Sequence, residues 1–268
     1  MSLGFSVETL VPAGRSGGAL RMGLSRVAEA DWLFPAPDLG ARVAAFATHP
    51  DSVVVLPQAA HAAQEIAALI GVAGGLGEAA KAVWEDLCIL QPIGADGVYV
   101  LTAGALAFPT DWHLGEKIGL PVTAIHAPIH GYAEQLAQGV DHVLATMRPG
   151  PIFGRTNWFV VASGAWRYMP QDDPATRFAH VTADNAGETL FVRCERQTLR
   201  RLPDSGAILF TIGIAVSALG DLSASVVQRV AAGVAAQPGG ERERRAAPHY
   251  ADALIGYAAR CNDLEDAA

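Results

Sequence analysis

Apolar positions recur along the chain with two different periods, and the change from one to the other divides it. Over 59–73, "AAHAAQEIAALIGVA", Ile66, Leu69 and Ile70 fall at helical spacing and predict an amphipathic helix. The glycines that follow, "GGLGEAA" at 74–80, match no dinucleotide-binding fingerprint and read as a connection between helices. In "KAVWEDLCIL", 81–90, Val83, Leu87 and Leu90 keep the helical period, although the end of the run could turn into a strand. From about residue 96 the signals turn to strands: "GVYVLTAGALAFP" (97–109), stopped by Pro109, and "GRTNWFVVAS" (154–163). Between them Tyr132, Leu136, Val140, Val143 and Met147 form the stripe of another amphipathic helix.

Further on, "ETLFVRCERQTLRRL" and "GAILFTIGIAVSAL" flank "PDSG" (203–206), where Pro suits the early turn position and Gly the late one. That predicts an antiparallel hairpin. "ERERRAA" reads as a solvated charge run before a final docking helix, "HYADALIGYAARCNDL". Residues 1–45, rich in Gly, Pro and Ala with "FPAPDL" at 34–39, read as an extended lead-in, leaving 46–268 as a single domain with a C-terminal helical appendage. Strands joined by hairpins, with helices not alternating one for one, point to an α+β fold built on an antiparallel sheet.

Composition narrows the function classes. A chain of 268 residues can bury a core without a disulfide or metal staple. Its 51% hydrophobic content is inflated by alanine, and its longest apolar run, 207–219, is too short to cross a bilayer. The N-terminus lacks a basic start and an unbroken apolar core, so a cytoplasmic location is expected. A net charge of −8 and a pI near 5.4 disfavour nucleic acid and anionic membrane as partners. Cys88, Cys194 and Cys261 are too few for an iron–sulfur set, so such chemistry would come from another chain.

Three stretches carry candidate chemistry. In "TAIHAPIHGYAEQL" (123–136) Pro128 disfavours helix at Ala127, so His126 and His130 cannot stack on one helix face as paired zinc ligands; a single neutral imidazole can still hold a haem iron. In "FVRCERQTLRRLP" strand alternation puts Phe191, Arg193, Glu195 and Gln197 on one face and Val192, Cys194, Arg196 and Thr198 on the other. Neither face is cleanly apolar, which a solvated edge strand explains cheaply; the functional reading is a polar cavity wall, with arginine pairing a ligand carboxylate and Glu195 moving a proton or holding an amine cation. In "RTNW" Arg155 could clamp an anion and Trp158 stack on a flat ligand, or the two could be surface charge and core filler. Asp111, ahead of a short helix in "FPTDWHLGEKIG", reads as its cap.

Taken in order, "WEDLCIL", "FPTDWHLGEKIG", "AIHAPIHGY", "RTNW" and "FVRCERQTLRRLPDSGAILFTI" resemble the haem-dependent oxidative N-demethylase family over roughly residues 80–220. The resemblance implies a PAS-like fold, an antiparallel sheet with flanking helices around haem b, and an oxygen-using monooxygenase that removes a methyl group from a small secondary amine, giving the primary amine and formaldehyde. It implies His126 as the iron ligand. The family continues with Val-Pro where this chain has Ile129 and His130, which keeps His130 beside it as a haem-binding residue. Arg155, Arg193 and Arg196 match family arginines, which implies that they pair with haem propionates or fix the strand; Trp158 is kept as the aromatic that stacks on the cofactor, and Glu195 and Gln197 are implied on the substrate and proton-delivery side. Electrons are implied to come from a separate reductase subunit or ferredoxin-type partner, with O2 and the amine as the other reactants. The alternative is a non-catalytic PAS-like haem or small-ligand sensor, or a relative that has lost haem.

Overall fold

The computed structural model describes residues 3–12, 20–35 and 37–266, so positions 1–2, 13–19 and 36 of the expected lead-in lie outside the described residues. Among the described residues seven strands make one sheet: β1 (Ser25–Val27), β2 (Val53–Val55), β3 (Asp86–Ile93), β4 (Val98–Ala105), β5 (Ile152–Val161), β6 (Phe191–Arg201) and β7 (Ile208–Ala218). Their order is β1-β5-β6-β7-β3-β4-β2, and every pairing is antiparallel. This is the α+β, PAS-like architecture expected, an antiparallel sheet with flanking helices. The β6–β7 hairpin closes through "PDSG", with Leu202 N donating to Ala207 O at 2.9 Å and Gly206 in the left-handed region at φ 69°.

Alternation divides the side chains of the long strands between two faces. On the rear, Trp158, Val160, Val192 and Cys194 pack with Val226, Val227 and Val230 of the helix Ala224–Ala235 and with Leu254 and Ala258 of the final helix Ala251–Asp266. Further along the same face, Leu87, Ile89, Ala103 and Leu209 meet Ala62, Ala63 and Ile66 of the helix Ala60–Ile70. On the front, Cys88, Leu90 and Leu101 pack with Val122 and Leu144. The front is where the helical segment 132–146 crosses the sheet: Tyr132 begins it, Ala133–Ala137 is a π-helix, and Gln138–Thr146 continues as α-helix.

Several local expectations are corrected. The helical reading of 81–90 holds only to Ala82, where the helix Leu76–Ala82 ends; the strand alternative for the end of the run is the one observed, Leu87 to Leu90 belonging to β3, because an apolar run buried on both faces satisfies either period. Of the 74–80 glycines, Gly74 and Gly75 form the connection before this helix, Gly75 as its N-cap, and Gly77 lies inside it. In Ala60–Ile70 the buried stripe is Ala62, Ala63, Ile66 and Ala67, while Leu69 faces solvent. The strand β6 is no edge: it lies between β5 and β7 with both faces covered. The described part of 1–45 is extended in places, yet it also contributes the edge strand β1, a short helix Val7–Leu10 and the start of the helix Gly40–Thr48.

That last helix anchors the rear core through a buried ion pair. Arg42 is fully buried and donates to Asp86 at 2.9 Å and to the carbonyls of Ala80, Trp84 and Glu85. Asp86 in turn accepts from Ala107 N at 2.7 Å and Phe108 N at 3.2 Å. One carboxylate therefore ties the first residue of β3 to the loop after β4, which continues to the front of the sheet as Thr110, Asp111 and Trp112.

Candidate functional site

Between the front of the sheet and the helical segment 132–146 lies a cavity of about 440 Å³, within the usual range for small-molecule and cofactor sites. Its floor is the front face read strand by strand: Arg155, Asn157 and Phe159 from β5, Glu195, Gln197 and Leu199 from β6, Phe210 and Ile212 from β7, Cys88 and Leu90 from β3, and Leu101 from β4. Antiparallel register sets Arg155 opposite Gln197 and Asn157 opposite Glu195, so four polar side chains form one patch in a mostly apolar wall. The roof is Leu136, Val140 and Val143 of the predicted stripe together with Leu144, which lay outside it; Met147 is buried in the front core instead.

His126 enters this cavity from the end of the short helix Val122–Ile125. Its Nδ1 lies 2.8 Å from Val122 O. A carbonyl accepts only, so Nδ1 carries the proton and Nε2 keeps its lone pair. Burial, reinforced by the charges of Arg155 and Lys117, pushes its pKa below the ordinary histidine range, so the ring is neutral near pH 7. Tyr132 stacks on it, ring centroids 4.7 Å apart and planes 10° from parallel. His130, four residues on, is exposed, does not line the cavity and sits beside Gly240.

The four polar floor residues are unevenly satisfied. Glu195 is 7% exposed; its Oε2 accepts from Gln197 Nε2 at 2.9 Å and Asn157 Nδ2 at 3.4 Å, and Oε1 has no hydrogen bond among the described residues. Arg155 has its Nε buried without a partner, and burial pushes its pKa down while Glu195 pulls it up. Cys88, also on the wall, is held as a thiol by burial, with Asp86 adding to the effect.

The other sequence-predicted residues lie away from this patch. Arg193 shares the front face but is spent on the loop after β4: its guanidinium donates to Thr110 Oγ1 at 2.8 Å, Phe108 O at 2.7 Å, Pro109 O at 3.3 Å and Ala165 O at 3.2 Å. Arg196 is on the rear, donating to Gly4 O, Trp32 O and Asp31 O over the Phe5 ring. Trp158 is also rear-facing and buried in the core with the C-terminal helices.

Other wall residues escaped the sequence reading as a site. The run "ERERRAA" folds over the cavity mouth, where Arg244 and Arg245 both hold Glu241, and Arg245 also donates to Trp158 O and lies 4.6 Å over Phe159. Burial raises the Glu241 pKa, but the Arg244 and Arg245 contacts outweigh it and hold the carboxyl below its usual range. Asp111 caps nothing: the N-cap of Leu114–Lys117 is His113, and Asp111 lines the cavity at φ 55°, a left-handed conformation only a few residue types tolerate. Burial pushes its carboxyl up, against the pull of Arg177 and His113.

Comparison with known proteins adds one finding. Residues 75–255 match the family model described as haem-dependent oxidative N-demethylase, alpha subunit-like. The chain belongs to this family. The match spans β3 to β7, the helical roof and the first turn of the final helix, so it includes every residue of the cavity wall except the segment Leu20–Leu24. Membership relates the chain to a haem-dependent oxidative enzyme and, through the alpha-subunit description, to an assembly with other subunits. Among the described residues no helix is long and apolar enough to cross a membrane, and no cluster of three His, Cys, Asp or Glu could hold a bare metal ion.

Proposed function

We propose that the chain is the haem b-binding catalytic subunit of an oxygen-using N-demethylase, with His126 as the iron ligand. The observation that carries this reading is the state of the His126 imidazole: neutral, its Nδ1 fixed on Val122 O, its Nε2 free in an apolar-walled cavity. That is how second-shell bonding prepares a metal-ligating histidine. Family residues fit the rest of the group: a flat ligand matches the sheet floor, and the unpartnered Arg155 Nε suits an anionic edge. Haem, when bound, supplies oxygen activation with two electrons from a separate reductase.

The chain's own residues then have distinct tasks. Glu195, oriented by Gln197 and Asn157, offers Oε1 to the N–H of a protonated secondary amine or to a proton in transit. Leu101, Val140, Leu144 and Phe210 exclude water and receive the methyl groups. The overall reaction consumes the methylated secondary amine, O2, two electrons and two protons, and yields the primary amine, formaldehyde and water. Electrons must come from outside, because four thiolates are needed for the usual cluster and this chain has three cysteines, Cys88 and Cys194 on opposite faces of the sheet.

The test is spectroscopic first. Haem titrated into the apo chain is expected to give a Soret band near stoichiometric with protein, to shift on reduction and again with carbon monoxide, and then to support amine-dependent formaldehyde release. In the His126→Ala chain the band is expected to be lost or strongly altered. An unchanged spectrum in that variant would overturn the ligand assignment, and a folded wild-type chain that refuses haem would overturn the function.

A further inference from the structure

Six buried side-chain polar atoms among the described residues have no hydrogen-bond partner, and two of them sit on the cavity wall: Tyr132 Oη and Arg155 Nε. Leaving buried donors unpaired is costly, so two in one cavity point to an acceptor that the ligand brings. The guanidinium is permanently charged. A phenol keeps its proton near neutral pH, so Tyr132 is an O–H donor. Glu195 Oε2 already accepts from Gln197 and Asn157, and neither orphaned donor is hydrogen-bonded to Glu195.

The backbone holds Tyr132 in place. Gly131 adopts φ 77°, and a Cβ there would lie 2.5 Å from Gln135 Nε2. The Tyr132 amide donates to Ile129 O at 3.1 Å, closing the turn that leads into the π-helix Ala133–Ala137, a form found mostly where function needs a wider turn. The result is a ring face to face with His126 and a hydroxyl left over for the cavity.

We propose that Tyr132 is a positioning residue with two tasks: its ring fixes the plane of the His126 imidazole, and its hydroxyl joins Arg155 in binding a carboxylate of the ligand. This rests on the haem reading, in which that carboxylate is a propionate. Neither the stripe nor the motif resemblance assigned Tyr132 more than an apolar role.

Zinc protoporphyrin IX and its dimethyl ester separate the two tasks, because the ester keeps the metal and the ring but cannot offer a carboxylate. Fluorescence titration of the full chain is expected to show the free acid binding about tenfold or more tighter than the ester, the range of a hydrogen bond to a charged group. Tyr132→Phe keeps the ring and is expected to erase several-fold of that preference while leaving ester affinity within about twofold. Tyr132→Leu removes the stacked ring and is expected to weaken both porphyrins. An unchanged acid-to-ester ratio in Tyr132→Phe overturns the carboxylate role, and unchanged ester affinity in Tyr132→Leu overturns the stacking role. If the wild-type chain, shown folded by circular dichroism, binds neither porphyrin, the haem reading itself falls. Wild-type binding with inert Tyr132 variants removes only this proposal.

Discussion

Removing the Asp86 carboxylate should cost more than any single change at the cavity. Asp86→Ala strands the fully buried Arg42 guanidinium without its counter-charge and takes the acceptor from the amides of Ala107 and Phe108. Breaking one side of a buried pair costs about 3–5 kcal/mol, because the remaining charge is uncompensated. Two stranded amides add to this, though not in full, since the loop can relax toward water. Urea unfolding followed by tryptophan fluorescence measures the loss; with a slope of about 3 kcal/mol per molar, the midpoint should fall by at least about 1 M. Trp84 and Trp32 lie close to the pair's neighbourhood, Trp84 through its carbonyl on Arg42, so the signal reports the right region. A double change, Arg42→Met with Asp86→Leu, should lose less than the sum of the single changes, since it removes both charges together. A drop below about 1 kcal/mol in Asp86→Ala would refute the reasoning, because it would place the carboxylate outside the core's electrostatics.

The remaining expectations concern the cavity and its frame. Burial lowers the His126 pKa, so as pH falls from the unfolded value of about 6.5 the unfolded chain takes the proton first and stability declines toward the folded value. Haem retention should therefore stay level down to about pH 6.5 and decline only below it, and a midpoint at or above 6.5 would contradict this. Glu195→Gln should weaken binding of a methylated secondary amine by roughly 10–100-fold, read by isothermal titration of the haem-loaded chain, while leaving haem affinity nearly unchanged. Gly154→Val should destabilise by about 1–3 kcal/mol in thermal melts: a Cβ there would lie 2.8 Å from Val27 Cγ2 and 3.1 Å from the Gln197 carbonyl, so β1 must move. A melting temperature equal to the wild type would show that β1 contributes nothing to the sheet's stability.

Four of the seven described strands, β4 to β7, were legible in the sequence; which of them sits at the centre of the sheet was not. "PDSG" gave the β6–β7 hairpin because turn chemistry is local, and the alternation through Arg193, Glu195 and Gln197 is that of β6. What pattern could not say is that β6 is central: its mixed polarity looked like an edge, whereas the structure covers Glu195 with a cavity and Arg196 with the carbonyls of the N-terminal segment. The four-residue apolar run at 87–90 misled for the opposite reason, being buried on both sides and so free of any period. Charge patterning missed the cavity mouth, because a run such as "ERERRAA" looks the same whether its arginines face water or hold Glu241 against the sheet.

Departures from local rules gather around one place. Away from the cavity, the buried Arg42, Arg193 and Arg196 each spend their donors on carbonyls, a hydroxyl or a carboxylate. The front cavity instead collects an unpartnered guanidinium, an unpartnered phenol, a π-helical turn, a left-handed aspartate and a histidine with one nitrogen left free. Each is a cost that packing alone would have removed, by a leucine for Tyr132 or an asparagine for Asp111. Their convergence on a single wall is what a ligand-binding surface looks like before its ligand is counted. The same reasoning separates the two histidines of "AIHAPIH": His130 violates nothing and faces solvent, whereas His126 is partly buried, oriented and half-satisfied, and its free nitrogen is what a bound metal would satisfy.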